Sequence, residues 1–97
     1  MQYMKAILIA KAKEVRDDGS IVEIVIWELP APAFTCTHRY KYRLYYGITG
    51  ICRIRYDNER RKGDHYHRRG QEKFYKFTTV DQLLSDFEKD VNQWSIR

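Results

Sequence analysis

The stretch HRYKYRLYYGITGICRIRY, His38 to Tyr56, decides the fold. In its first half Tyr40, Tyr42, Leu44 and Tyr46 alternate with Arg39, Lys41 and Arg43; in its second Cys52, Ile54 and Tyr56 alternate with Arg53 and Arg55. Successive residues of a strand point to opposite faces, so His38–Tyr46 and Ile51–Tyr56 both read as half-buried strands. Gly47-Ile48-Thr49-Gly50 between them is a turn, and the pair is an antiparallel hairpin. Setting Tyr46 opposite Ile51 would mix the tyrosines with Arg53 and Arg55 on one face. A slip of one residue reverses every side chain. With Tyr46 opposite Gly50, Leu44 faces Cys52, Tyr42 faces Ile54 and Tyr40 faces Tyr56, across a three-residue loop. That register also sets Arg43 against Arg53, Lys41 against Arg55 and Arg39 against Asp57. Directly opposed like charges are unfavourable. Two readings follow: Glu23 or Glu28 on the preceding strand relieves them, or Arg39, Lys41, Arg43, Arg53 and Arg55 form a phosphate-binding surface.

Outward from the hairpin, Met4–Val15 reads as a first strand, with Ala6–Ala10 apolar on both faces as in a buried strand. The turn Asp17-Asp18-Gly19-Ser20 leads to a second strand, Ile21–Leu29, which Pro30 and Pro32 stop. Downstream, Asp57–Gly70 has no apolar periodicity and reads as loop, and Phe74–Phe77 reads as a short fifth strand. Thr79 and Gln82 form a capping box for a closing helix. Val80, Leu83, Leu84, Phe87, Val91 and Trp94 then recur at helical spacing as a core-facing stripe. The fold class is α+β: an antiparallel β-meander of four or five strands with one C-terminal helix packed on one face.

The 97 residues suffice for a single domain, 1–97, with one modest core and any site on its surface. The net charge of +5 favours anionic partners. Cys36 and Cys52 form no metal-type pair and no secreted disulfide framework. No apolar run is long enough to span a bilayer and no leader pattern is evident. The expectation is a cytoplasmic protein with reduced thiols and no membrane association.

The polar run Arg55 to His67 concentrates the chemistry. It holds Asp57, Asp64, His65 and His67 among Arg55, Asn58, Arg60 and Lys62. Three readings are open. The first is a solvated charged loop. The second is a metal site, which needs three or four ligands and here lacks the usual spacing frames. The third is metal-free RNA cleavage. That reaction needs a base for the 2′-hydroxyl proton, an acid for the leaving oxygen and cations for phosphate charge, and histidine and arginine supply these.

The elements Tyr42–Gly47, Arg55-Tyr56-Asp57-Asn58-Glu59-Arg60 and Lys62-Gly63-Asp64-His65-Tyr66-His67, with Val22–Trp27 before them, resemble the TumE family of toxin-antitoxin proteins over nearly the whole chain. Arg61 stands where relatives often have glycine, which changes the charge of that loop. The resemblance implies a toxin neutralised by a cognate antitoxin encoded beside it, a helix-turn-helix protein, and by analogy with other small basic toxins an action on RNA. The expected catalytic residues are Asp57, Asp64, His65 and His67. Arg39, Lys41, Arg43, Arg53, Arg55, Asn58, Arg60 and Lys62 are expected to bind nucleic acid. This reading calls for no metal and no cofactor; a second copy of the chain is a further candidate partner. The rivals are a non-enzymatic module that grips RNA or protein through the basic sheet face, and a metal-dependent nuclease or nucleotidyl transferase, for which no phosphate-cradling glycine loop is found.

Overall fold

The computed structural model describes residues 6–32, 37–58 and 63–95. Six antiparallel strands lie side by side in chain order: β1 (Ile7–Val15), β2 (Ser20–Glu28), β3 (Tyr40–Ile48), β4 (Ile51–Asp57), β5 (His65–Arg68) and β6 (Gln71–Phe74). The helix α1 (Val80–Ser95) packs on one face. This is the expected α+β meander, with six strands where four or five were expected.

The additional strand comes from the segment read as loop. β5 pairs with β4, Asp57 opposite His65 and Arg55 opposite His67. Its sequence HYHR has no apolar alternation, so hydrophobic periodicity does not reveal it. It is held by cross-strand polar and aromatic pairs instead. The last strand is Gln71–Phe74; residues 75–77, expected within it, lie beyond its end.

The register of β3 with β4 also differs from expectation. Leu44 lies opposite Tyr56 and Tyr46 opposite Ile54, a displacement of four residues from the Leu44–Cys52 pairing. A slip by an even number keeps the faces, so tyrosines and Ile54 still share one side. The opposed-arginine pairs disappear, and Arg43 faces Asp57. Two local features produce the shift. The turn is the two-residue Thr49–Gly50, with φ of 49° and 78°, the left-handed geometry that suits hairpin twist. A bulge beside Tyr46 and Gly47 leaves Arg53 as the extra residue on β4. Gly47 is required there: an added Cβ would sit 2.5 Å from the Ile51 carbonyl oxygen and 2.3 Å from Tyr45 Oη. Gly47→Ala is expected to destabilise the fold by about 1–3 kcal/mol, as for other overpacked sites, read as a lower urea midpoint at unchanged slope.

The core joins Ile26, Tyr42, Leu44, Tyr46, Ile54 and Tyr56 of the sheet to Leu83, Phe87 and Val91 of α1. Thr79 Oγ1 caps the helix by accepting from the Gln82 amide at 3.0 Å. Ala6–Ala10 is not buried as its composition suggested. β1 is an edge strand, and Ile7, Leu8 and Ile9 are 58, 44 and 43% exposed, because the helix covers the central strands and stops short of that end.

Two carboxylates anchor α1, Asp86 to Tyr75 just beyond β6 and Asp90 to the sheet. Tyr75 Oη donates to Asp86 at 2.6 Å. Asp90 is buried and accepts from Tyr56 Oη at 2.5 Å and Arg68 Nη1 at 2.6 Å. Burial, reinforced by the bond to Asp90, pushes the Tyr56 hydroxyl well above its usual range, so it is a permanent donor.

Candidate active site on the open face

The helix occupies the sheet face that carries Tyr56 and Tyr66. Period two therefore sends Arg55 and Asp57 of β4, His65 and His67 of β5, and Glu72 of β6 to the opposite face. Antiparallel pairing sets them side by side: Asp57 beside His65, Arg55 beside His67, and Glu72 beyond His67.

The two histidines have different hydrogen-bonding roles. His65 is buried; its Nδ1 lies 3.0 Å from the Gly63 carbonyl and its Nε2 lies 2.6 Å from Asp57 Oδ1. Both contacts are hydrogen bonds at once only when the ring carries both protons. His67 Nε2 accepts from Arg55 Nη2 at 3.0 Å. Arginine has no lone pair to offer, so that nitrogen presents one. Burial, followed by the Arg55 charge, lowers the His67 pKa from its ordinary value and keeps the ring neutral near pH 7. Arg55 Nε also lies 3.0 Å from Asp57 Oδ2, as an ion-pair contact rather than an aligned hydrogen bond. The ring centroids of His65 and His67 are 5.8 Å apart. The face thus holds an imidazole set between a carboxylate and a backbone carbonyl, a second imidazole that accepts from arginine, and the guanidinium that links it to the carboxylate.

Of the residues singled out from sequence, Asp57, His65, His67 and Arg55 are brought together. They stand on strands, not on a loop folded over the sheet. Asp64 is turned elsewhere. It accepts from Tyr42 Oη at 2.6 Å and from His38 Nε2 at 2.9 Å. His38 Nδ1 accepts the Tyr40 amide at 3.1 Å, and its ring stacks on Phe77 at 3.9 Å. Asn58 is buried against β3, where Oδ1 accepts the Tyr42 amide at 3.0 Å and Nδ2 donates to the Tyr40 carbonyl at 2.7 Å. It continues the strand pairing beyond Asp57.

The basic surface is more dispersed than expected. Arg43 lies 3.8 Å from Glu23 and stacks on Tyr45 at 5.3 Å, and Arg39 pairs with Glu28 at 3.2 Å. The neighbouring strand therefore does supply compensating carboxylates. The bulge turns Arg53 out of the set, and its guanidinium stacks on Trp94 of the helix at 4.5 Å. Lys41 is exposed on the open face, between Trp27 and the end of β4. Arg60, Lys62 and Cys36 lie outside the described residues.

Sequence reasoning missed Glu72 and His38. Glu72 had no signal once Gln71–Phe74 went unread as a strand. For a metal, His65, His67 and Glu72 offer ligand atoms all within 4.8 Å of one another.

A family model described as Toxin TumE matches residues 5–95. The chain belongs to this toxin family. The match covers both the open-face site and the helix that backs it, as the resemblance over the whole chain led one to expect. Membership in a toxin family implies an antitoxin partner. No curated protein and no solved structure matches the chain. Among the described residues no helix is long and apolar enough to cross a membrane.

Proposed function

We propose that this toxin acts on RNA in the cytoplasm by metal-independent cleavage, and that a helix-turn-helix antitoxin encoded beside it neutralises it as in a type II system. One observation carries the reading: two histidines share one strand face, Asp57 lies 2.6 Å from Nε2 of the first, and Arg55 donates to Nε2 of the second. His67 is the base. Its Nε2 takes the 2′-hydroxyl proton, O2′ bonds to the adjacent phosphorus, and the P–O5′ bond breaks. His65 keeps its Nδ1 contact with the Gly63 carbonyl, and its Nε2 opens from Asp57 to give its proton to the departing 5′-oxygen. Arg55 leaves His67 to meet the charge on the phosphoryl oxygens, since a guanidinium matches two phosphate oxygens at once. Lys41 and Arg43 bind flanking phosphates, with Arg60 and Lys62 as further contacts. Asp64 and Asn58 are positioning residues, which fix the ends of β4 and β5.

The chemistry makes a 2′,3′-cyclic phosphate on one product and a 5′-hydroxyl on the other. End-group analysis of single-stranded RNA incubated with purified protein in a chelator should show these termini. Products with 5′-phosphate ends, or cleavage lost on chelation, would refute the assignment. Growth arrest by a protein that cuts no RNA would favour the non-enzymatic module.

A further inference from the structure

His65 and His67 leave the same face of β5, and Glu72 stands opposite His67 on β6. Glu72 Oε2 is 3.6 Å from His65 Nε2, and Oε1 is 3.4 Å from His67 Nε2. Imidazole nitrogens with a carboxylate are the donor set that Zn²⁺ and its first-row neighbours take, and three such ligands leave a position open to water. A tetrahedral ion about 2.0–2.1 Å from each donor needs donors roughly 3.4 Å apart. The two Glu72 contacts run to different oxygens of the carboxylate. With one ligand atom from each residue the separations are at most 4.8 Å, which leaves up to about 1.4 Å to close when the ion enters.

The surroundings also suit a metal. The Gly63 carbonyl holds His65 Nδ1 at 3.0 Å and leaves Nε2 facing Asp57 and Glu72. A second partner on the far nitrogen is how ligating histidines are oriented. A lone pair on Nε2 between two carboxylates is unfavourable unless a cation stands there, either a proton or a metal ion. Asp57 Oδ1, 2.6 Å from that nitrogen, is available as a fourth donor. Arg55 must release His67 Nε2, and it keeps Asp57 as a partner when it does.

We propose that His65, His67 and Glu72 bind one divalent transition-metal ion of the Zn²⁺ class, and that its occupancy switches off the proton transfers of the same two histidines. The site rests on the geometry alone; the switch rests on the RNA-cleavage reading above.

Tag-free protein is titrated with Co²⁺, whose visible absorption reports ordered nitrogen and oxygen ligation, and then with competing Zn²⁺. One ion per chain is expected, displaced by Zn²⁺. Glu72→Ala, at an exposed position, is expected to weaken binding about 10–100-fold, the loss seen even for outer partners of metal sites. No saturable band, or a band unchanged in Glu72→Ala and His67→Ala, would overturn the site. RNA cleavage by wild type should fall in step with Zn²⁺ occupancy and resist the same Zn²⁺ concentration in Glu72→Ala. Cleavage that continues with the site filled would overturn the switch. A cobalt band without any RNA cleavage leaves the metal site standing and sinks the RNA reading instead.

Discussion

Cells expressing His67→Ala are expected to grow, where cells expressing the wild-type chain at equal level are expected to arrest. His67 is partly exposed and shares its Arg55 contact with a guanidinium that also pairs with Asp57, so truncation should cost less than about 1 kcal/mol. Loss of a general base typically costs 10²- to 10⁴-fold in rate. Purified His67→Ala should therefore melt close to wild type while its cleavage falls by at least about a hundredfold. His65→Ala should lose activity to a similar degree, but it leaves the buried Asp57 carboxylate short of a donor. About 1–3 kcal/mol of stability should go with it. The comparison is informative because the two variants differ in folding and agree in function. Full toxicity in both, at matched expression, means that the histidines are bystanders.

Asp90→Ala gives the largest expected loss of stability. Asp90 is 7% exposed and accepts from Tyr56 Oη and from Arg68. Removing it leaves a buried hydroxyl without its acceptor and a cation without its partner. Breaking a fully buried pair costs about 3–5 kcal/mol, and the partial exposure of Arg68 reduces this to about 2–3 kcal/mol. For a domain of this length that is roughly 10–20 °C in Tm. Asp90→Asn keeps an acceptor for Tyr56 and should recover part of the loss. Because Tyr56 and Arg68 lie on β4 and β5, the strands that carry Arg55 and Asp57 and the two histidines, the damage should reach the site. Asp90→Ala is then expected to lower toxicity through the folded fraction, with partial recovery on cooling. A calorimetric Tm equal to wild type would contradict this account of how the helix is tied to the sheet.

Face parity was the part of this structure most readable from sequence. Alternation over His38–Tyr56 assigned Tyr42, Leu44, Tyr46, Ile54 and Tyr56 to one side, and the stripe from Leu83 to Val91 supplied what covers them. Register was not readable, because a two-residue turn with a bulge and a three-residue loop satisfy the same parity. Only the left-handed backbone at Thr49 and Gly50 separates them. β5 was hidden for a different reason. Its side chains are paid for by partners on β4 and β6 rather than by burial of an apolar row, and a pattern of hydrophobicity has no term for such partners. Asp90 falls seven residues after Leu83, within the buried stripe, and reads as surface until Tyr56 and Arg68 are seen to need it. At the site, Asp57, His65 and His67 were recognisable by residue type. That Arg55 would stand against His67 followed from the pairing of β4 with the unread strand β5, and the displacement of Arg53 to Trp94 followed from the bulge.

The central claim is that the open face uses the ribose 2′-hydroxyl of its substrate. The most direct measurement compares single-turnover cleavage, in chelator, of an RNA oligonucleotide with that of the same oligonucleotide carrying 2′-deoxyribose at the cut position. Cleavage of the first and none of the second at that position is the predicted result; equal cleavage of both would contradict the mechanism.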